Sequence, residues 1–174
     1  METSFSWIFW AFPVAFTIHN IEEAIWLPAF SQSAGKYHKP VRRFEFVFAL
    51  IVITLLAAVI TFLFYLSGKQ SVACYLFFSF NFGMLINVFI PHLVATIALR
   101  RYCPGLLTGI LFLTPTAIYL LLYGYNNGYF DFPTFWFFTI PFAALVLWSI
   151  PFLFKVGKYL QNRFGVNQSS VAAP

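Results

Sequence analysis

Long apolar stretches alternate with short polar ones along this chain, and each apolar stretch has the length of a helix. The apolar stretches cover residues 4–30, 44–66, 71–99, 106–123 and 134–154. A helix that crosses a bilayer needs roughly 20 apolar residues, so the lengths suit membrane spans. The pattern therefore predicts an all-α fold, a polytopic membrane helix bundle of about five transmembrane helices.

The same pattern indicates one folded unit followed by a polar end. Residues 1–155 are expected to form a single transmembrane helical domain, and residues 156–174 a partly disordered cytoplasmic tail. The first residues lack the basic segment that begins a signal peptide, so the first helix is expected to be retained.

Composition excludes an ordinary soluble domain. The chain is 61% hydrophobic and only 9% charged, whereas a soluble domain carries about 25% charged residues. The net charge of +5 comes from loops between apolar stretches, which is typical of topology signals, so no nucleic-acid partner is predicted. Cys74 and Cys103 do not form a CxxC pair, and no disulfide framework or thiolate metal cluster is predicted.

The basic residues also predict an orientation in the membrane. Nine of the ten Lys and Arg residues lie in the loop before residue 44, in the turn at 100–105 and in the segment from residue 155 onward. Lys69 alone lies on the other side. Because basic loops face the cytoplasm, we expect the N-terminus outside, the C-terminus inside and an inner-membrane location.

The first helix carries a polar pentad, HNIEE at residues 19–23, inside an otherwise apolar segment. Ionisable side chains are costly within a membrane, so such residues usually belong to a functional site. His19 lies three and four residues before Glu22 and Glu23, which places all three on one helix face. The pentad is therefore the first candidate site.

The third helix carries the second set of polar residues, Asn81, Asn87 and His92. Pro91 has no backbone N–H, which leaves the carbonyl of Asn87 free. Helices one and three are predicted to run in the same direction, and Glu22 and His92 each lie eight residues before the end of their helix. Both are thus about 12 Å from that end, and the two polar sets are expected to converge.

Two adjacent carboxylates in an apolar setting need a positive partner. A divalent metal bound by His19, Glu23 and His92 would supply it, with zinc first and iron or manganese as alternatives. Glu22 is then the candidate general base on bound water, although the two glutamates are interchangeable in this argument. Further candidate ligands are Glu45, Asn81 and Asn87.

Other interpretations of the same residues stay open. The two adjacent glutamates could lie at the membrane interface and pair with Arg42 or Arg43, and the histidines could be packing residues without a metal. Glu45 lies three residues after Arg42 and could pair with it. The asparagines of helix three could serve as hydrogen-bonding contacts between helices.

Three motifs in order resemble a known family. The pentad at 19–23 fits the HxxEE pattern of the bacterial HXXEE-motif membrane proteins. Asn87 to Pro91 is similar to the NxxxP element of that family, and Tyr102-Cys103-Pro104-Gly105 resembles its Tyr-x-Pro-Gly turn. The resemblance extends from helix one through helix four. It implies a small multi-helix membrane protein of unsettled function.

These patterns favour a metal-dependent enzyme of the inner membrane, and among enzyme classes they favour a hydrolase. Its substrate would be a lipid or small apolar molecule that enters from the cytoplasmic leaflet of the bilayer. The first alternative is a non-catalytic carrier or binding protein for a metal ion, a proton or a small amphiphile. The second is a structural subunit in which the polar cluster fixes the packing of the helices.

Overall fold

The structure is a computed structural model that describes residues 7–35 and 40–164. These residues contain helices and turns and no strand, so the all-α prediction is confirmed for them. The helices are α1 (Ala11–Ser31, preceded by the 3-10 turn Trp7–Trp10), α2 (Arg43–Ser67), α3 (Val72–Leu99), α4 (Leu106–Asn126) and α5 (Phe132–Phe164).

Four of the helices, α2 to α5, are long and apolar enough to cross a membrane. Helix α1 has 21 residues but is not among these four. It carries His19, Asn20, Glu22 and Glu23, which lower its apolar character. The helices indicate membrane association, and the predicted orientation of the termini stays a prediction.

The last helix is longer than predicted. The sequence indicated an end near residue 154, but α5 continues without interruption to Phe164. Its added turns pack closely on α2, since a Cβ atom on Gly157 would lie 3.0 Å from Cα of Glu45. The polar residues after 154 thus extend a helix that is packed on its inner side. The partly disordered tail was predicted for residues 156–174; residues 156–164 instead form the last turns of α5, and residues 165–174 lie outside the described residues.

An aromatic core joins the ends of α1, α2 and α3 that lie away from the polar pentad. The ring centroids of Phe9, Phe64 and Phe77 are 4.9–5.5 Å apart, and all three side chains are fully buried. Aromatic rings at such distances stabilise a core beyond the area that they bury. This core fixes α1 against α3 and so sets the positions of the polar residues further along both helices.

Helix α3 does not keep α-helical geometry throughout. Residues Val88–Leu93 form a π-helical stretch that contains Pro91, and the N–H of Val94 donates to the carbonyl of Phe89, five residues earlier. A second such stretch, Gly109–Leu113, lies in α4. The two stretches meet where Gly109 packs on Val88, and a Cβ atom at 109 would lie 2.8 Å from a Val88 methyl group. Such stretches frequently occur at functional sites.

Candidate functional site

Three buried side chains from α1 and α3 meet in the interior of the bundle. Oε1 of Glu23 lies 2.8 Å from Nε2 of His92 and 3.5 Å from Nε2 of His19. The two imidazole rings are perpendicular, with centroids 5.2 Å apart. His19, Glu23 and His92 are thus brought together as one cluster, which we call the His–Glu cluster.

Local helix geometry explains how each side chain reaches the cluster. His19 and Glu23 are four residues apart on α1 and therefore share a face. Asn87 Nδ2 lies 3.3 Å from His92 Nε2, although five residues separate the two on α3. In a regular α-helix, residues at that spacing point in different directions, and the π-helical stretch removes this difference.

The cluster has the donor set and spacing of a small metal site. One ligand atom from each of the three residues lies within 4.8 Å of the other two. Tetrahedral zinc ligands at 2.0–2.1 Å from the ion are about 3.4 Å from one another, so small side-chain shifts would bring these atoms to that geometry. Two imidazoles and one carboxylate are also a known catalytic zinc set.

The surroundings of His19 are a second reason to expect a ligand at this cluster. Its side chain is fully buried, and neither ring nitrogen has a hydrogen-bond partner within residues 7–35 and 40–164. The backbone of Gly105 adjoins the ring, since a Cβ atom at that position would lie 3.0 Å from Cε1 of His19. Buried polar atoms are normally paired, so this histidine fits a metal, a water molecule or a polar group of a substrate.

Glu22 faces away from the His–Glu cluster and binds the turn before α4. Its Oε1 accepts hydrogen bonds from the Tyr102 hydroxyl and from the Gly105 N–H at 2.7 Å. Its Oε2 accepts from the N–H of Thr108 at 2.9 Å and from the Thr108 hydroxyl at 2.5 Å. Glu22 thus caps the first turn of α4, where free N–H groups favour a negative charge.

Sequence reasoning missed this cap. The signal for it was a turn that ends in glycine directly before an apolar helix, because the N–H groups of such a helix start need an acceptor. The predicted role of Glu22 as a general base stays a prediction, but four donors already occupy its two oxygen atoms. Burial and the hydrogen bond to Glu22 raise the pKa of the Tyr102 phenol to about 12.

The turn at 102–105 closes the His–Glu cluster on the side of α4. Gly105 has φ +97°, and a Cβ atom there would lie 2.6 Å from Cε1 of His92 and 3.0 Å from Cε1 of His19. Cys103 Sγ lies 3.7 Å from Nδ1 of His92. The turn therefore contacts both histidines, and Glu22 holds it in place.

A cavity of about 230 Å³ lies beside the cluster, between α1, α2, α3 and α5. Most of its wall is apolar, including Phe16, Leu27, Phe46 and Ile150. Its polar wall residues are Asn20, Glu23, Asn87, His92 and Cys103. The cluster thus faces an apolar space with a few polar groups on one side, which is the usual character of a small-molecule site.

Two of the further candidate ligands lie elsewhere. Asn81 is fully buried, does not line the cavity and has no hydrogen-bond partner in the part of the chain described. Glu45 packs on Gly157 of α5, and among the described residues it makes no ion pair with Arg42. Of the further candidates, Asn87 alone contacts the cluster, because the π-helical stretch brings it onto the face of His92.

Burial of the two glutamates does not match the alternative in which both are solvated. Glu22 and Glu23 are both buried, at 5% and 7% exposure. Arg101 instead donates to the carbonyl of Phe30 at 3.2 Å and to the hydroxyl of Ser33 at 2.8 Å. The arginine thus binds the end of α1 and leaves the buried carboxylates to other partners.

Comparison with known proteins agrees with the HxxEE motif of this site. A family model described as "Protein of unknown function with HXXEE motif" matches residues 10–120, which run from α1 into α4. The chain is also similar to "Uncharacterized protein YrkK" of Bacillus subtilis (strain 168), with 41% identity over 146 residues, 84% of this chain and 92% of that protein. No solved structure matches. The chain belongs to the HXXEE-motif family.

Proposed function

We propose that this protein is a metal-dependent enzyme of the inner membrane, with one divalent cation held by His19, Glu23 and His92. The observation that carries this proposal is the buried imidazole of His19. Both of its nitrogens lack a hydrogen-bond partner among the described residues, and it lies beside a carboxylate and a second imidazole. Zinc suits this set first, with iron or manganese as alternatives.

The reaction that we propose is hydrolysis of a lipid or small apolar substrate. Two imidazoles and one carboxylate leave a coordination position free, and a metal in such a site polarises a carbonyl group or activates water. The apolar wall of the cavity would hold the hydrocarbon part of the substrate, while Asn20 and Asn87 offer hydrogen bonds to its polar part. Glu22 anchors the 102–105 turn in this proposal and so keeps both histidines in position.

A second candidate is proton transfer without a metal. Glu23 and His92 are 2.8 Å apart, which is a direct hydrogen bond and shorter than the ~3.4 Å expected of two ligands on one zinc ion. Such a pair beside an apolar cavity would serve an acid–base catalyst or a carrier that binds a proton. In this case Asn87 would turn its amide oxygen toward the ring, since its Nδ2 cannot donate to a protonated Nε2.

The metal content of the purified protein separates the two candidates. The protein would be exposed to Zn²⁺, Fe²⁺ or Mn²⁺, freed of unbound ions and analysed beside His19→Ala, Glu23→Gln and His92→Ala. We expect one ion per chain in the parent and none in the variants. Ser79→Ala is a matched control, since Ser79 is buried and bonded to Thr139 outside the cluster. A parent that takes up no ion favours proton transfer.

A further inference from the structure

A second cavity opens on the outer face of the bundle between α3 and α5. Its volume is about 620 Å³, and Gly83, Trp136 and Ile140 lie along it. We call it the α3–α5 groove. It shares five wall residues with the cavity beside the His–Glu cluster: Met84, Asn87, Pro91, Val146 and Ile150. The two spaces thus adjoin, and these five residues lie between the groove and the cavity beside the cluster.

The wall of the groove carries no charge. No Asp, Glu, Lys, Arg or His residue lines it in the described part of the chain. Its polar side chains are Ser79 and Thr139, whose hydroxyls bond each other at 2.9 Å, and Asn87 at the inner end. The groove lies along the middle of α3 and the first part of α5, two helices long and apolar enough to cross a membrane, so it would open toward hydrocarbon.

We propose that the α3–α5 groove admits an uncharged, single-chain amphiphile from the bilayer and directs its one polar oxygen to the His–Glu cluster. The volume lies within the roughly 300–1,000 Å³ of sites for single small molecules. An anionic head group would meet the carboxylate of Glu23 and no Lys or Arg on either wall. A cationic one would be costly to desolvate beside a carboxylate that His92 already pairs. The inference rests on the proposed function for the chemistry at the inner end.

Gly83 provides a clean way to close the groove. No atom lies within 4 Å of a Cβ placed at this position, so a larger side chain can begin in open space on the wall of the groove. Gly83→Phe also removes a glycine from a helix interior, which favours folding. Val59→Phe is the matched control, because Val59 is 52% exposed on α2 and does not line the groove.

The test uses a long-chain alcohol with a photoreactive diazirine on its hydrocarbon chain, added to the full-length protein in lipid nanodiscs. We expect crosslinks to concentrate on the peptides that contain Met84 and Trp136. Gly83→Phe should lower them several-fold, and Val59→Phe should leave them unchanged. Crosslinks spread evenly over the exposed apolar surface, or unchanged by Gly83→Phe, would overturn the proposal. So would equal labelling of these peptides by a diazirine phosphatidylcholine.

The experiment distinguishes this inference from the proposed function. Labelling is repeated with a chelator present, because groove binding relies on apolar contact and not on a metal. If the labelling persists in a protein that never binds metal, the proposal of a metal-dependent enzyme is rejected and the proposal of amphiphile binding in the groove is kept. If the protein binds metal but Gly83→Phe does not change the labelling, the groove proposal is rejected and the metal-dependent enzyme is kept.

Discussion

The carboxylate of Glu23 on α1 and the imidazole of His92 on α3 are in direct contact at 2.8 Å. The neighbouring carboxylate of Glu22 turns to the start of α4 instead. Consecutive residues of an α-helix point about 100° apart, so the two adjacent glutamates bind different partners, His92 on α3 and the start of α4. The two glutamates of the motif therefore have different structural roles, and substitutions should separate them.

Glu23→Gln should leave the fold intact. Glutamine keeps the size of glutamate and one oxygen that can accept from His92, while it removes a negative charge from the interior. We expect a melting temperature in detergent equal to that of the parent or higher, together with loss of metal binding. A clear fall in melting temperature would indicate that the charge of Glu23 stabilises the bundle.

Glu22→Gln should instead weaken the fold. Each oxygen of Glu22 accepts two donors, so the new NH₂ group must face donors wherever it points. A buried donor left without an acceptor costs about 1–3 kcal/mol. We expect a lower melting temperature than for Glu23→Gln, measured side by side. Equal melting temperatures for the two variants would contradict the division of roles.

The hydrogen bond from Tyr102 to Glu22 should make the stability of the folded protein depend on pH in the alkaline range. The phenol has a usual pKa of about 10, and burial with the bond to Glu22 raises it to about 12 in the folded protein. Because the folded state holds this proton more tightly, the contribution is complete below pH ~10 and is lost as the pH rises through ~12. The stability difference between the parent and Tyr102→Phe should therefore shrink over that range. A stability difference between the two proteins that does not change with pH would contradict the hydrogen bond between Tyr102 and Glu22.

Gly105→Ala should disturb both histidines. The added methyl group would lie 2.6 Å from Cε1 of His92, and the positive φ costs a further 1–2 kcal/mol or so. Gly128→Ala is the control, because Gly128 has φ +66° with no atom within 4 Å of the new methyl group. We expect both variants to lose some stability and Gly105→Ala alone to lose metal affinity. Equal metal affinity would show that the turn does not position the rings.

The charge asymmetry of the loops predicts which end of each helix faces the cytoplasm. Reporter fusions after residues 43 and 164 should give cytoplasmic signals, and a fusion in the loop near Asn127 should give an external one. The loop near Asn127 carries no Lys or Arg, and the nearest basic residue is Lys69, which donates to the carbonyl of Asn127 at 2.8 Å. A cytoplasmic signal from this loop would reverse the predicted orientation.

Much of this arrangement could be predicted from the sequence, because it depends on regular geometry. Apolar stretches of helix length indicated the five helices, and the rise per residue placed Glu22 and His92 at a similar depth. The helix spacing also placed Glu23 on the face of His19. These inferences need only straight helices of known direction.

The remainder depended on departures from that regularity. The π-helical stretch brings Asn87 to His92, and a regular helix would have favoured Asn81. Glu22 and Glu23 are equally close to His19 in an ideal helix, so their different partners could not be told apart. The continuation of α5 to Phe164 depends on the contact of Gly157 with α2, which no local pattern records.

The hydrogen bonds of Glu22 also have a consequence for the order in which the helices fold during synthesis. Helix α1 leaves the ribosome first, yet all four donors to Glu22 lie in residues 102–108. Until those residues are synthesised, α1 carries a carboxylate with no partner in a segment that is not among the four helices apolar enough to cross a membrane. We therefore expect the first helix to settle in its final place only after residues 102–108 have been synthesised, and a chain truncated before residue 102 to be degraded faster than the full chain.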